Sequence, residues 1–141
     1  MKNIFNFLLL AASFLIANVG MAQVAVVAGA KSAATVLTRE QAAALFLGKS
    51  TQLPGAGIPV LIDLPESVEA RQIFYAKVTE KTPAQVKAVW SRLVFSGKGS
   101  PPKEVANSAD VKKLVSTNPD AIGYIEKSAV DATVKVLFSI E

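Results

Sequence analysis

Two short stretches of the sequence gather residues able to hold an anion. In the first, Asp63, Glu66, Ser67, Glu69 and Arg71 crowd the passage from an apolar run into a helical pattern. A loop leaving the carboxyl edge of a sheet for a helix start presents free N–H groups and the positive end of the helix dipole. Ser67 would add a hydroxyl and Arg71, one turn on and on the same stripe as Ser67 and Tyr75, a charge. The three carboxylates would repel an anion there. Their structural alternative is pairing with the helix dipole and a salt bridge to Arg71. The second stretch is Ser96-Gly97-Lys98-Gly99-Ser100. Its glycines free the backbone to form a concavity of N–H groups, with Lys98 adding charge. The alternative is a helix-ending loop whose lysine is solvated.

Other chemistry is weaker. Residues 43–50 approach a phosphate-binding P-loop, but Ala43 stands where the pattern needs Gly, and the segment ends a helix instead of opening one. Gly48 then reads as a helix C-cap. Asp63, Glu66 and Glu69 as paired acid and base lack any group to complete a site. Trp90 and Tyr124 are either a stacking platform or, at helical and strand spacing, core. With neither Cys nor His, the chain has no disulfide framework, no thiolate metal site, no thiol nucleophile and no imidazole base. No catalytic residue, metal ligand or cofactor is expected, and the chain reads as a non-enzyme. Basic residues are scattered, the densest pair being Lys112-Lys113, which gives no nucleic-acid footprint.

The elements that would position these residues follow from pattern. Residues 1–22 read as an export signal: Lys2 precedes a short apolar stretch, and Gly20-Met21-Ala22 offers a small-x-small cleavage site. Cutting there leaves one domain over residues 23–141 and lowers the net charge from +4 to +3, and the apolar stretch is short for a membrane span. The expected location is periplasmic or secreted. Strands are predicted over residues 23–29, 58–64, 121–126 and 133–138. Helices are predicted from Thr38 to Gly48, over 67–80, from Thr82 through Val94, and from a Ser108 cap to Val115. Thr38 with Gln41 and Thr82 with Gln85 have capping-box spacing, and Pro83 suits the first helical position. Strands alternating with helices predict an α/β fold, a sandwich of helices around a mixed sheet.

Several segments, in unbroken order from Leu37 to Tyr124, resemble the phosphate-type solute-binding proteins of ATP-driven importers. They are Leu37-Thr38-Arg39-Glu40-Gln41 leading to Phe46-Leu47-Gly48-Lys49, then Ile58-Pro59-Val60, residues 67–74, Gly97-Lys98-Gly99, and Asn118-Pro119-Asp120-Ala121-Ile122-Gly123-Tyr124. The stretch from Trp90 to Gly99 is similar to a small single-lobe branch of exported relatives. The resemblance implies one lobe of a type II periplasmic binding protein, where the full-length relatives trap an anion between two lobes. It also implies departures. The family's strand-end Arg falls here on Asp63 or Leu64. Its Ser-Gly-Thr falls on Ser67-Val68-Glu69 or on Val68-Glu69-Ala70, so only Ser67 retains a family role.

The expected function is therefore exported, non-catalytic binding of a small oxyanion, or service as an accessory to a transporter or sensor. The anion-binding candidates are Ser67, Arg71, Ser96, Gly97, Lys98 and Gly99. The alternative is a protein-interaction module that has lost ligand binding and meets a partner or a second copy of itself.

Overall fold

A computed structural model describes residues 23–141, and the expected export signal lies outside the described residues. Five strands form one sheet: β1 (Val24–Gly29), β2 (Val60–Asp63), β3 (Lys103–Glu104), β4 (Ala121–Glu126) and β5 (Val134–Ile140), in the order β3-β2-β4-β1-β5. β2 runs parallel to both of its neighbours, while β1 is antiparallel to β4 and β5. The fold is the expected mixed α/β sheet. Every residue of β1 is buried, which requires cover on both faces of the sheet.

The two faces can be told apart on β4, because successive side chains of a strand point to opposite sides. Helix α4 (Ser108–Thr117) packs on the Gly123 side, so closely that a Cβ at Gly123 would lie 2.6 Å from Val111 Cγ1. Helix α1 (Arg39–Phe46), helix α2 (Glu69–Phe74) and a π-helical turn (Tyr75–Thr79) cover the Tyr124 side. There the rings of Phe46, Phe74 and Tyr75 surround Tyr124, and Phe74 stacks on it at 4.2 Å. The longest helix, α3 (Pro83–Phe95), buries only Val86 fully and leaves much of its apolar stripe half-covered.

Local signals worked where both partners are near in sequence. Thr38 and Gln41 close their capping box at 3.1 and 2.8 Å, and Thr82 and Gln85 close theirs at 3.2 and 3.0 Å. Gly48 takes the left-handed conformation (φ 69°) just past α1, as a C-terminal glycine should.

Four expectations are corrected. The helix expected over 67–80 starts two residues later, at Glu69, and converts to the π-helical turn after Phe74. Phe74, Tyr75 and Val78 are all buried along this turn. The cap of α4 is Asn107, whose Oδ1 accepts the Asp110 N–H at 3.0 Å, and Ser108 is already inside the helix. β2 is confined to Val60–Asp63, with Ile58 left 74% exposed before it. Finally, β3 was not expected at all. It is two polar, exposed residues whose pairing lies entirely with β2.

Candidate functional site

At the carboxyl end of β2 the chain turns a carboxylate inward. Asp63 is 4% exposed and is met by several donors. Tyr75 donates its hydroxyl to Oδ2 at 2.7 Å, and Tyr124 donates its hydroxyl to Oδ1. The Leu64 N–H also donates to Oδ1, at 2.8 Å. Arg71 Nη1 stands 3.5 Å from Oδ2 and donates to the Leu64 carbonyl at 2.8 Å. The same nitrogen lies 3.8 Å from a carboxylate oxygen of Glu104 on β3, and the guanidinium sits 5.3 Å from the centre of the Tyr75 ring. Burial first, and the negative charge of Asp63 second, raise the pKa of both tyrosines well above the ordinary phenol value. Both phenols therefore stay protonated and remain donors.

This donor set is what an oxyanion would want, and Asp63 already occupies it. The carboxylate acts as a resident anion. Hollows of about 530 and 680 Å³ border Arg71, but Glu66 lines both, and the larger is also lined by Asp63 and Glu104. In the larger hollow an added anion would meet three carboxylates against Arg71 and Lys87. Ser67 lies exposed in the turn before Val68, the N-cap of α2, and that cap has no side-chain hydrogen bond. Glu66 and Glu69 are exposed, so the three acids do not form a pair for proton transfer.

The Lys98 loop is arranged differently from a concavity of free N–H groups. The N–H groups of Ser96, Gly97 and Lys98 donate back to the carbonyls of Arg92, Val94 and Leu93 at 3.0, 3.1 and 2.9 Å. Gly97, at φ 70°, makes this ending possible. The Lys98 side chain and Gly99 nevertheless border a separate hollow of about 350 Å³ beside the amino-terminal half of β2. Its apolar wall includes Leu45, Leu61, Trp90 and Leu93, its hydroxyls are Ser50, Thr51 and Ser100, and its charges are Lys98 and Lys103. No Asp or Glu lines it.

Arg71 and Lys98 border no hollow in common, so the two halves of the expected anion site do not converge; Ser96 and Gly97 line none of these hollows. Ser100, which closes the expected second stretch, does line the hollow; Lys103, Ser50 and Thr51 were missed because the sequence gives no periodic signal for a two-residue strand or for the approach of the loop after α1. Trp90 and Tyr124 do not make a stacking platform, since Tyr124 is fully buried. Trp90 donates from Nε1 to the Phe46 carbonyl at 2.9 Å, which holds its ring against the end of α1. The P-loop-like segment ends α1, with the N–H groups of residues 47–50 all bonded to its carbonyls. Among the described residues, no three metal-ligating side chains come together, and no helix is long and apolar enough to cross a membrane.

No protein-family model and no curated protein matches the chain. Several solved structures do. One is described as a phosphate ABC transporter substrate-binding protein with bound phosphate, from Clostridium perfringens: 23% identity, TM-score 0.64, covering 82% of this chain and 45% of that one. An ABC-type phosphate transport receptor from Vibrio cholerae matches at 21% identity and TM-score 0.64, covering 82% of this chain and 46% of that one. PstS from Borrelia burgdorferi matches at 18% and 0.58, covering 82% and 47%. The chain thus spans about half the length of each of these structures. What is shared at these identities is the fold, that of one lobe of a periplasmic binding protein.

Proposed function

We propose that the chain is an exported, non-catalytic binding protein related to phosphate ABC-transporter substrate-binding proteins. Residues 1–22 would serve as its signal, cut after Ala22, and residues 23–141 would form a single binding domain. Its task is to hold a small anion, for transport or sensing. The observation that carries this reading is the hollow under Lys98, where two lysines and three hydroxyls meet no carboxylate. The Arg71 side is the poorer place, because Asp63 and Glu104 already neutralise its guanidinium. Of the expected anion-binding residues, Lys98 and Gly99 are retained in the site, and Lys103 joins them.

The test is thermal unfolding of the mature protein against a panel of inorganic and organic oxyanions. A ligand at a hundred times its dissociation constant stabilises the native state by about 2.7 kcal/mol. For a domain of this size that raises the midpoint by on the order of 10 °C. Lys98→Ala combined with Lys103→Ala, by weakening the site about tenfold, should cut the rise to about half. No shift with any anion in the panel would overturn the reading.

A second reading, as an interaction module, is supported by Phe95, which is 96% exposed beside a 48% exposed Val94 at the end of α3. Light scattering separates the two: a dimer dispersed by Phe95→Ser would favour self-association. A monomer at all concentrations would remove it.

A further inference from the structure

We infer that the hollow under Lys98 selects an organic anion, a molecule with one acid group on a flat apolar body, over inorganic phosphate or sulfate. The inference rests on the anion-binding reading above and names the ligand class of that site.

Size is the first argument. A water occupies about 30 Å³ of liquid, so a hollow of about 350 Å³ leaves most of its space empty around a bare oxyanion. The wall is the second. Leu45, Leu61, Leu93 and the Trp90 ring offer no donor into the hollow, because Trp90 gives its only N–H to the Phe46 carbonyl. A fully hydrated oxyanion would lose water against that wall without replacement. An apolar body loses nothing there.

The backbone supplies the third argument. Sites that envelop inorganic oxyanions use several converging N–H groups. Here, among the residues lining the hollow, Gly48 and Ser50 bond their N–H groups to the Leu45 and Ala44 carbonyls, and Lys98 bonds its own to the Leu93 carbonyl. The remaining charge-bearing donors are the Lys98 and Lys103 side chains at the exposed rim. Both α1 and α3 end at this hollow, so their negative dipole ends disfavour a compact multiply charged ion. One acid group held at the rim, with its body inside, meets both conditions.

The wall is also tightly set. A Cβ at Gly48 would run into Leu93 Cδ1 and lie 3.1 Å from the edge of the Trp90 ring, so glycine there lets the end of α1 close against α3.

Trp90 is the only tryptophan and borders both this hollow and the larger one beside Arg71, so the lysine variants assign its fluorescence response to this hollow. The mature protein is titrated with benzoate, phenyl phosphate, inorganic phosphate and benzyl alcohol, following Trp90 emission and the heat of binding. Burying a phenyl-sized body should make benzoate and phenyl phosphate bind roughly ten- to a hundredfold more tightly than phosphate. Removing both lysines, Lys98→Ala with Lys103→Ala, should weaken them by about tenfold. Lys113→Ala, on the opposite face of the sheet, should leave binding unchanged. Phosphate binding as tightly as phenyl phosphate, and lost with the lysines, would overturn this inference while leaving the anion reading intact. Benzyl alcohol binding as tightly as benzoate, or no binding by any of the four, would overturn both.

Discussion

Asp63→Asn is the substitution that most directly tests the resident-anion account. The side chain keeps its shape and loses its charge, in a place that is 4% exposed. Two phenols and an N–H donate to the carboxylate, and Arg71 stands 3.5 Å away. A hydrogen bond to a charged group contributes about 1.5–3 kcal/mol, and breaking a buried ion pair by removing one partner costs about 3–5 kcal/mol. Arg71 keeps its bond to the Leu64 carbonyl and its neighbour Glu104, so the loss falls at the lower end. The expected cost is about 3 kcal/mol, a fall in melting midpoint on the order of 12 °C. Urea unfolding followed by Trp90 fluorescence measures it. Arg71→Met should cost less alone, and the double variant should be more stable than the sum of the two predicts by about 1 kcal/mol or more. Asp63→Asn costing under about 0.5 kcal/mol, within the range of an ordinary surface change, would refute the reasoning. So would strict additivity with Arg71→Met.

The tyrosines give a pH signature. Their folded pKa values are raised from 10.0, so the native state holds protons that the unfolded state releases. The stability they contribute is complete below about pH 10 and is lost as the pH rises above that value. Tyr75→Phe should make the alkaline fall in stability shallower, as measured by urea unfolding between neutral pH and the onset of alkaline unfolding; an unchanged slope would count against the buried pair. On the other face of the sheet, Gly123→Ala would drive a Cβ to 2.6 Å from Val111 and 3.3 Å from Ile62. It should destabilise by about 1–3 kcal/mol, the usual cost of overpacking, and a variant as stable as the parent would mean that α4 can shift freely.

The parts of this fold that can be read from the sequence are those whose causes lie close together along the chain. Thr38 finds Gln41 and Thr82 finds Gln85 within one turn, and Gly48 ends a helix by its own backbone freedom. β4, apolar over almost all its length, announces itself by composition and is buried to match. The parts that could not be read depend on remote partners. β3 is a strand because β2 lies beside it, and nothing in Lys103-Glu104 has strand character. The π-helical turn leaves no mark in the apolar spacing, and Phe74, Tyr75 and Val78 enter a core whose centre, Tyr124, is some fifty residues further on. The role of Asp63 is hidden for the same reason. An Asp at a strand end reads as repulsion toward an anion until Tyr75 and Tyr124 are seen donating to it.

That hidden role bears on where a ligand goes. In open α/β sheets, ligands gather beyond the carboxyl ends of the parallel strands. Here that end of β2 holds Asp63, with Glu104 at the end of neighbouring β3 and Arg71 drawn between them. The acids of β2 and β3 therefore lie at their carboxyl ends, while Lys103 opens β3 and Lys98 stands beside the first half of β2. A charge is attracted to its opposite roughly in inverse proportion to distance and effective dielectric. An anion reaching this edge of the sheet is thus repelled at the carboxyl end and drawn toward the lysines. On the proposed reading, the resident carboxylate and the lysine-rimmed hollow act in the same sense: filling the first site with the chain's own anion would leave the second to an outside one.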